Sequence, residues 1–302
     1  MKIKFVHPPP SYLERHSNQG QMPRTFYDFF HEAFDNFDFY RDNLPRHFWV
    51  SVAPSIKTTV ISVLASNMLF VCWGIYQSEY KRNAVRRAWT HIKLRIILKN
   101  VKVIVVNDLI TFRYIRRYHK ICAEILPYPI DTEFFSPQTC PNKKYDLICL
   151  GNNDRDEKVI LSLADAGYKV CRISRDQKVQ QFYFQNSHKK IDFYFSVGFE
   201  EVRRLVSASR VAVLPIMKTG HCAGQSAAIE ILAQGLPIVT SSLQLRYCIS
   251  ERQNIKFVKL ADIDNWISEV VCSFDSVKSS SDIREIHSFN ACADLYRKAT
   301  RT

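Results

Sequence analysis

Glycine and proline are scarce in this chain, eight and twelve of 302 residues, and no segment is of low complexity. Large-scale disorder is therefore excluded, and without a recurring period so are solenoid and propeller repeats. Paired cysteines are missing too. The nine cysteines stand singly, with no C-x-x-C and no His/Cys spacing of a zinc site, which fits reduced thiols in the cytosol better than a disulfide frame. Cys149 and Cys171 fall in strand-like runs and read as small core residues. The opening residues Met1 to Val6 read as a short strand that stops at His7-Pro8-Pro9-Pro10, not as a signal peptide. Thr58 to Gln77 is uncharged but holds Thr58, Thr59, Ser62, Ser66, Asn67 and Gly74, a poor composition for a membrane span. Two buried elements of a parallel sheet are expected there, with Met68 to Trp73 as a strand.

What is present is apolar material enough for two cores: 46% of the residues. Strands are expected at Lys2 to Val6, Phe48 to Val52, Met68 to Cys72 and Val103 to Val106. Further on the order is strand Asp146 to Leu150, helix Glu157 to Ala166, strands Tyr168 to Ile173 and Ile191 to Phe195, helix Glu200 to Ser209 and strand Val211 to Leu214. Helix Ser226 to Gln234 and strand Ile238 to Ser241 follow. Strands alternating with helices, the strands nearly continuous in apolar residues, predict parallel, doubly wound α/β sheets. Ligands of such sheets bind beyond the carboxyl ends of the strands, which places Gly151, Ser174, Ser196, Val197, Gly198 and Gly224 at the expected site.

The segment Gly220 to Ser242 sets a small-residue turn before a helix. Ala223 and Gly224 let backbone approach a ligand closely, while Gln225 and Ser226 open a helix whose first amides have no internal partner. Such a helix start attracts phosphate. Cys222 lies just before the turn and Glu230 one turn inside the helix, which Gly235 and Pro237 end.

The run Gly224-Gln225-Ser226, then Glu230 to Val239, resembles the donor-binding segment of GT-B retaining glycosyltransferases, the family-four or group 1 type found in bacterial surface-polysaccharide synthesis. Leu126 to Pro137, LPYPIDTEFFSP, is similar to the family segment that closes the first domain. The resemblance implies two Rossmann-like domains facing a central cleft: residues 1–138 on the acceptor side and 139–302 binding the nucleotide sugar, with the final helix packing back on the first. It assigns Lys158 and Arg155 as catalytic groups facing a diphosphate and Glu230 to the ribose hydroxyls. Gly151, Ser174, Val197, Gly198, Cys222, Ala223, Gly224, Gln225 and Ser226 complete the donor site. Cys222 stands where the family's first glutamate would fall. On the acceptor side it points to His7, Asn18, Gly20 and Trp73.

Charge is uneven. Between Lys81 and Lys120 twelve Lys and Arg face a single acid, Asp108, so the segment carries +11 of the chain's formal +13. Its first part, Tyr80 to Leu98, reads as an amphipathic helix, with Val85, Ala88, Trp89, Ile92 and Ile96 at helical spacing. Arg82, Arg86, Arg87 and Lys93, together with Trp89, suit an anionic membrane surface; no nucleic-acid motif accompanies them.

These readings converge on a cytoplasmic glycosyltransferase, peripheral on the inner face of the cell membrane. It would move sugar from a nucleotide diphosphate donor to a glycan or lipid-linked acceptor with retention, without metal or other cofactor. A donor-binding protein without transfer activity and a sugar-nucleotide epimerase of the same fold are the alternatives.

Overall fold

Short apolar strands alternate with helices along most of the chain. The computed structural model describes residues 2–5, 29, 47–51, 56–64, 68–72, 84–140, 142–152, 154–217, 222–249, 254–274 and 281–301. The chain forms two units, Met1–Pro129 with Ser288–Thr302, and Ile130–His287.

In the first unit the described strands β1 (Lys2–Phe5), β2 (His47–Ser51), β3 (Met68–Cys72), β4 (Val103–Val106) and β5 (Glu124–Ile125) lie side by side in chain order, every pair parallel. Helices lie on the connections that follow β2, β3 and β4. These are α1 (Ile56–Leu64), α2 (Ala84–Asn100) and α3 (Leu109–Tyr114), the last running into a π-helical turn, Ile115–His119. Phe70, Ile104, Val106 and Ile115 pack against Leu94, Ile97 and Leu98 of α2. Asp108 caps α3, accepting from the Thr111 amide at 2.8 Å. At the other end of the sequence, Tyr296 of the C-terminal helix Phe289–Arg301 is buried, with Asn107 Nδ2 donating to its hydroxyl at 2.9 Å.

Two sequence expectations change here. The uncharged run from Thr58 begins as a helix, not a strand, and Val60, Val63 and Leu64 of α1 are exposed. On α2 the buried stripe is Leu94, Ile97 and Leu98; Val85, Ala88, Trp89 and Ile92 face solvent. Helical spacing reveals a stripe but not which stripe meets the sheet.

The second unit holds β6 (Tyr145–Leu150), β7 (Val170–Ser174), β8 (Ile191–Phe195), β9 (Ser209–Leu214), β10 (Ile238–Thr240) and β11 (Ile255–Phe257) in the parallel order β11-β10-β9-β6-β7-β8. Between them run α4 (Glu157–Asp165), α5 (Gln177–Gln185), α6 (Phe199–Ser207) and α7 (Gln225–Ala233); α8 (Ile263–Phe274) and α9 (Ser281–His287) follow β11. Asp156 and Asp176 cap α4 and α5, each accepting from the amide two residues on. Trp266 of α8 and Val159, Ile160 and Leu163 of α4 fill the core against Leu147, Val211 and Val239. Each such side chain contributes roughly 1.5–3 kcal/mol through burial. Strand order reverses between β6 and β9. Their carboxyl ends form the crevice in which such sheets take ligands.

Candidate functional site

The loop after β6 and the segment after β9 meet at this reversal. Arg155 and Ile216 form an antiparallel bridge, the Asp156 amide donates to Pro215 O at 2.8 Å and the Met217 amide to Asp154 O at 2.8 Å. The segment after β9 is held in turn by β10, where Thr240 Oγ1 donates to Leu214 O and Ser241 Oγ to Ile216 O. Two loops distant in sequence thus share one edge.

Into that edge the Arg155 side chain folds back, buried, its Nε donating to Leu150 O at 2.9 Å. Its guanidinium lies between two glycines. A Cβ on Gly151 would sit 2.6 Å from Arg155 Nη2, and one on Gly224 would sit 3.4 Å from the same atom. Both glycines have positive φ, 108° and 82°, which L side chains rarely adopt. Gly224 also caps α7, so the first amides of that helix open beside the guanidinium. Burial, with Arg172 adding its own charge, lowers the Arg155 pKa. A buried cation beside helix-start amides favours an anion.

Arg172 supports this edge from beneath. Its Nη1 donates to Gly151 O at 2.8 Å and to Ile173 O at 2.5 Å, and its other two nitrogens bind Glu157. One buried side chain therefore fixes the carbonyl ends of β6 and β7 to the first residue of α4.

Beyond β7, Ser174 is buried and its hydroxyl donates to Asn152 Oδ1 at 3.3 Å, while that oxygen also accepts from the Arg175 amide at 2.6 Å. The Arg175 side chain reaches Val197 O at 3.4 Å and lies over the Phe199 ring, whose helix Gly198 caps. Glu230 on α7 is partly buried, and burial raises its carboxyl pKa to about 7 against the lowering effect of Arg175. Cys222 Sγ lies 2.8 Å from Cys248 Sγ. Ala223 is buried, Gln225 partly so, and Ser226 is exposed.

Of the expected residues, Gly151, Arg155 and Gly224 meet at the strand reversal and Ser174, Val197 and Gly198 lie beside it, while the Arg175 charge is felt at Glu230. Lys158 is on the first turn of α4 with its side chain exposed. His7, Asn18, Gly20, Trp73 and Arg82 lie outside the described residues. Arg86 and Arg87 are on α2, their side chains outside those described. Asn152 and Glu157 are not among the expected residues, and Arg172 falls in the run Cys171 to Arg175 expected to read the base but holds Gly151 O and Glu157 instead. Polar side chains directly after a strand, or charged ones inside a buried strand, are the signal that marks them. Two D-x-D spacings occur, and each spends a carboxylate on a helix start: Asp156 on Lys158 N and Asp262 on Asn265 N. Among the described residues no group of three or more His, Cys, Asp or Glu could hold a metal, and no helix is long and apolar enough to cross a membrane.

No protein-family model matches the sequence, and no curated protein matches it. Solved structures do match in fold. Sucrose-phosphate synthase of Thermosynechococcus elongatus superposes with a TM-score of 0.67 at 15% identity, over 83% of this chain and 73% of that one. Anabaena HepE, solved with UDP and glucose, gives 0.65 at 8% identity over 84% and 77%. The catalytic domain of starch synthase IV from Arabidopsis thaliana, bound to ADP and acarbose, gives 0.55 at 10% identity over 84% and 72%. The fold is the GT-B fold, two Rossmann-like α/β units.

Proposed function

We propose that this chain is a glycosyltransferase that takes sugar from a nucleotide diphosphate donor and passes it, with retention and without metal, to a glycan or lipid-linked acceptor. The observation that carries this reading is the buried Arg155 guanidinium set between Gly151 and Gly224 at the start of α7. Departure of a nucleoside diphosphate develops negative charge on phosphate oxygens. Pre-oriented amides and a buried cation stabilise that charge with little reorganisation. Lys158 adds an exposed ammonium on the neighbouring helix start, and Glu230 in its ionised form accepts from the ribose hydroxyls. The base is read by the loops around Cys171 to Arg175 and Ser196 to Gly198. The fold is shared with proteins solved with UDP and with ADP, which supports a nucleotide donor without choosing the base.

The acceptor is proposed to be presented at an anionic membrane. On the first unit, Val85, Trp89 and Ile92 of α2 and Val60, Val63 and Leu64 of α1 are exposed, and α1 and α2 contact one another. Arg95 and Lys99 are exposed on α2. Apolar side chains beside cations suit insertion among anionic headgroups. The direct assay is incubation with nucleotide diphosphate sugars and acceptor-bearing vesicles in EDTA, with the anomer of the product assigned by NMR. Formation of a product of retained configuration supports the proposal. Transfer that needs added Mg²⁺ or Mn²⁺, or an inverted product, refutes it in those parts.

A further inference from the structure

We infer that Cys222 and Cys248 form a modification site, a thiol pair that a small-molecule disulfide oxidises, and that their disulfide weakens donor binding. The inference rests on the donor site proposed above. Their sulfurs lie 2.8 Å apart, both side chains are partly buried, and they must move less than about 1 Å to bond. Cys222 adjoins Ala223 and the left-handed Gly224 that opens α7, whereas Cys248 ends the 3-10 turn Leu243–Tyr247 after β10. A cross-link therefore ties the donor turn to the element behind it.

The packing of the turn explains why a small movement matters. Ala223 is 5% exposed, and at Gly224 the space for a Cβ is already occupied, 2.5 Å from Ile216 Cδ1 and 3.4 Å from Arg155 Nη2. A close-packed turn passes displacement to its neighbours instead of absorbing it. Drawing Cys222 toward Cys248 shifts the amides of the α7 start relative to the Arg155 guanidinium. An anion held by both then loses one set of partners.

The chemistry is thiol–disulfide exchange with oxidised glutathione. The thiolate of one cysteine attacks a glutathione sulfur, breaking its S–S bond and releasing one glutathione thiolate. The second cysteine's thiolate attacks the protein-bound sulfur of the mixed disulfide, closes the Cys222–Cys248 bond and releases the other glutathione. The protein gives up two protons and two electrons, and oxidised glutathione accepts both electrons.

The whole chain is equilibrated with oxidised and reduced glutathione, mapped by mass spectrometry without reduction, and titrated with UDP. Hydrogen exchange at the amides of residues 223–226 is followed in parallel. The inference expects a Cys222–Cys248 peptide pair lighter by about 2 Da for the two hydrogens lost, UDP affinity lower by at least about fivefold, and recovery with dithiothreitol. Cys248→Ser should bind UDP as the parent does and show no response to oxidised glutathione. Absence of that disulfide overturns the inference, and so does a disulfide that leaves UDP affinity unchanged. A reduced protein that binds no UDP counts against the donor site itself. The thiol pair is then judged on exchange at residues 223–226, and unchanged rates on oxidation overturn it.

Discussion

Arg172 and Glu157 meet as a two-point pair, Nε to Oε2 at 3.0 Å and Nη2 to Oε1 at 2.6 Å, with the arginine fully buried. The same Glu157 accepts from the Tyr183 hydroxyl at 2.7 Å, and the same Arg172 holds the Gly151 carbonyl. The pair thus links the start of α4 to the strand end that forms the candidate site. Removing one partner leaves a buried charge without compensation, which costs about 3–5 kcal/mol. Glu157→Ala is expected to lower unfolding free energy in urea by that amount, and Glu157→Gln by less, since its amide oxygen still accepts. A loss below about 1 kcal/mol for Glu157→Ala, the range of an exposed pair, would contradict the buried geometry.

Gly224→Ala adds a methyl to a residue at φ 82°, 2.5 Å from Ile216 Cδ1. Left-handed backbone costs an L residue roughly 1–2 kcal/mol and overpacking about 1–3 kcal/mol more. Ile216→Val removes Cδ1, so the double variant should recover the packing part and keep the backbone part. Ile216→Val alone costs about 0.5–1.5 kcal/mol, so the cycle is closed with that variant. A Gly224→Ala cost in urea that is the same in the parent and in the Ile216→Val background would show that Ile216 is not what crowds the turn.

Glu230 gives a pH dependence. Its folded pKa is about 7, raised by burial, against 4.5 for the free group, so between those values the folded state binds more protons than the unfolded one. Stability contributed by the neutral carboxyl is present at low pH and declines as pH rises from about 4.5 to about 7. Glu230→Gln is therefore expected to become more stable relative to the parent across that window, read as melting temperature against pH. Donor binding that needs the carboxylate should release a proton near pH 6, visible by calorimetry in buffers of different ionisation enthalpy. A parent and variant whose melting temperatures run parallel would refute the shift.

The exposed ridge of α1 and α2 predicts salt-dependent adhesion. Binding to vesicles containing anionic lipid should be strong in low salt and weaken as the Debye length falls to about 8 Å near physiological ionic strength. Each basic residue near the surface contributes about 1 kcal/mol. Replacing Lys93, Arg95 and Lys99 by Gln should weaken cosedimentation, and replacing Trp89 and Leu64 by Ser should weaken it further at any salt. Equal sedimentation of parent and variants would make the ridge a surface for something other than lipid.

In the second unit the sequence was a close guide. β8 falls on Ile191 to Phe195 as read, and the ends of β6, α4, α6, α7 and β10 shift by one or two residues. Buried parallel strands are apolar on both faces, and their helices carry local start signals, Asp156 before α4 and Gly224 before α7. Less was legible where tertiary contact decides. Nothing local to α2 says that Leu94 and Ile97, and not Val85 and Trp89, meet the sheet. Helix α5, with Gln177, Lys178, Gln180, Gln181 and Gln185 spread around it, offered too weak a stripe, though Asp176 caps it. At the site, Gly151 and Gly224 could be named singly from their positions after strands, and Arg155 through the family resemblance. Their convergence required the Arg155–Ile216 bridge, a pairing between segments about sixty residues apart that no motif spacing encodes.

The central claim is that the crevice around Gly151, Arg155 and Gly224 holds a nucleoside diphosphate. Isothermal calorimetry with UDP, ADP, GDP, CDP and TDP, in EDTA, on the parent and on Glu230→Ala tests it most directly. The account predicts saturable binding of at least one of them at one site per chain, weaker by about ten- to a hundredfold in the variant, which loses hydrogen bonds to a charged group. No binding of any of the five by the folded parent, or equal affinity in the variant, would contradict it.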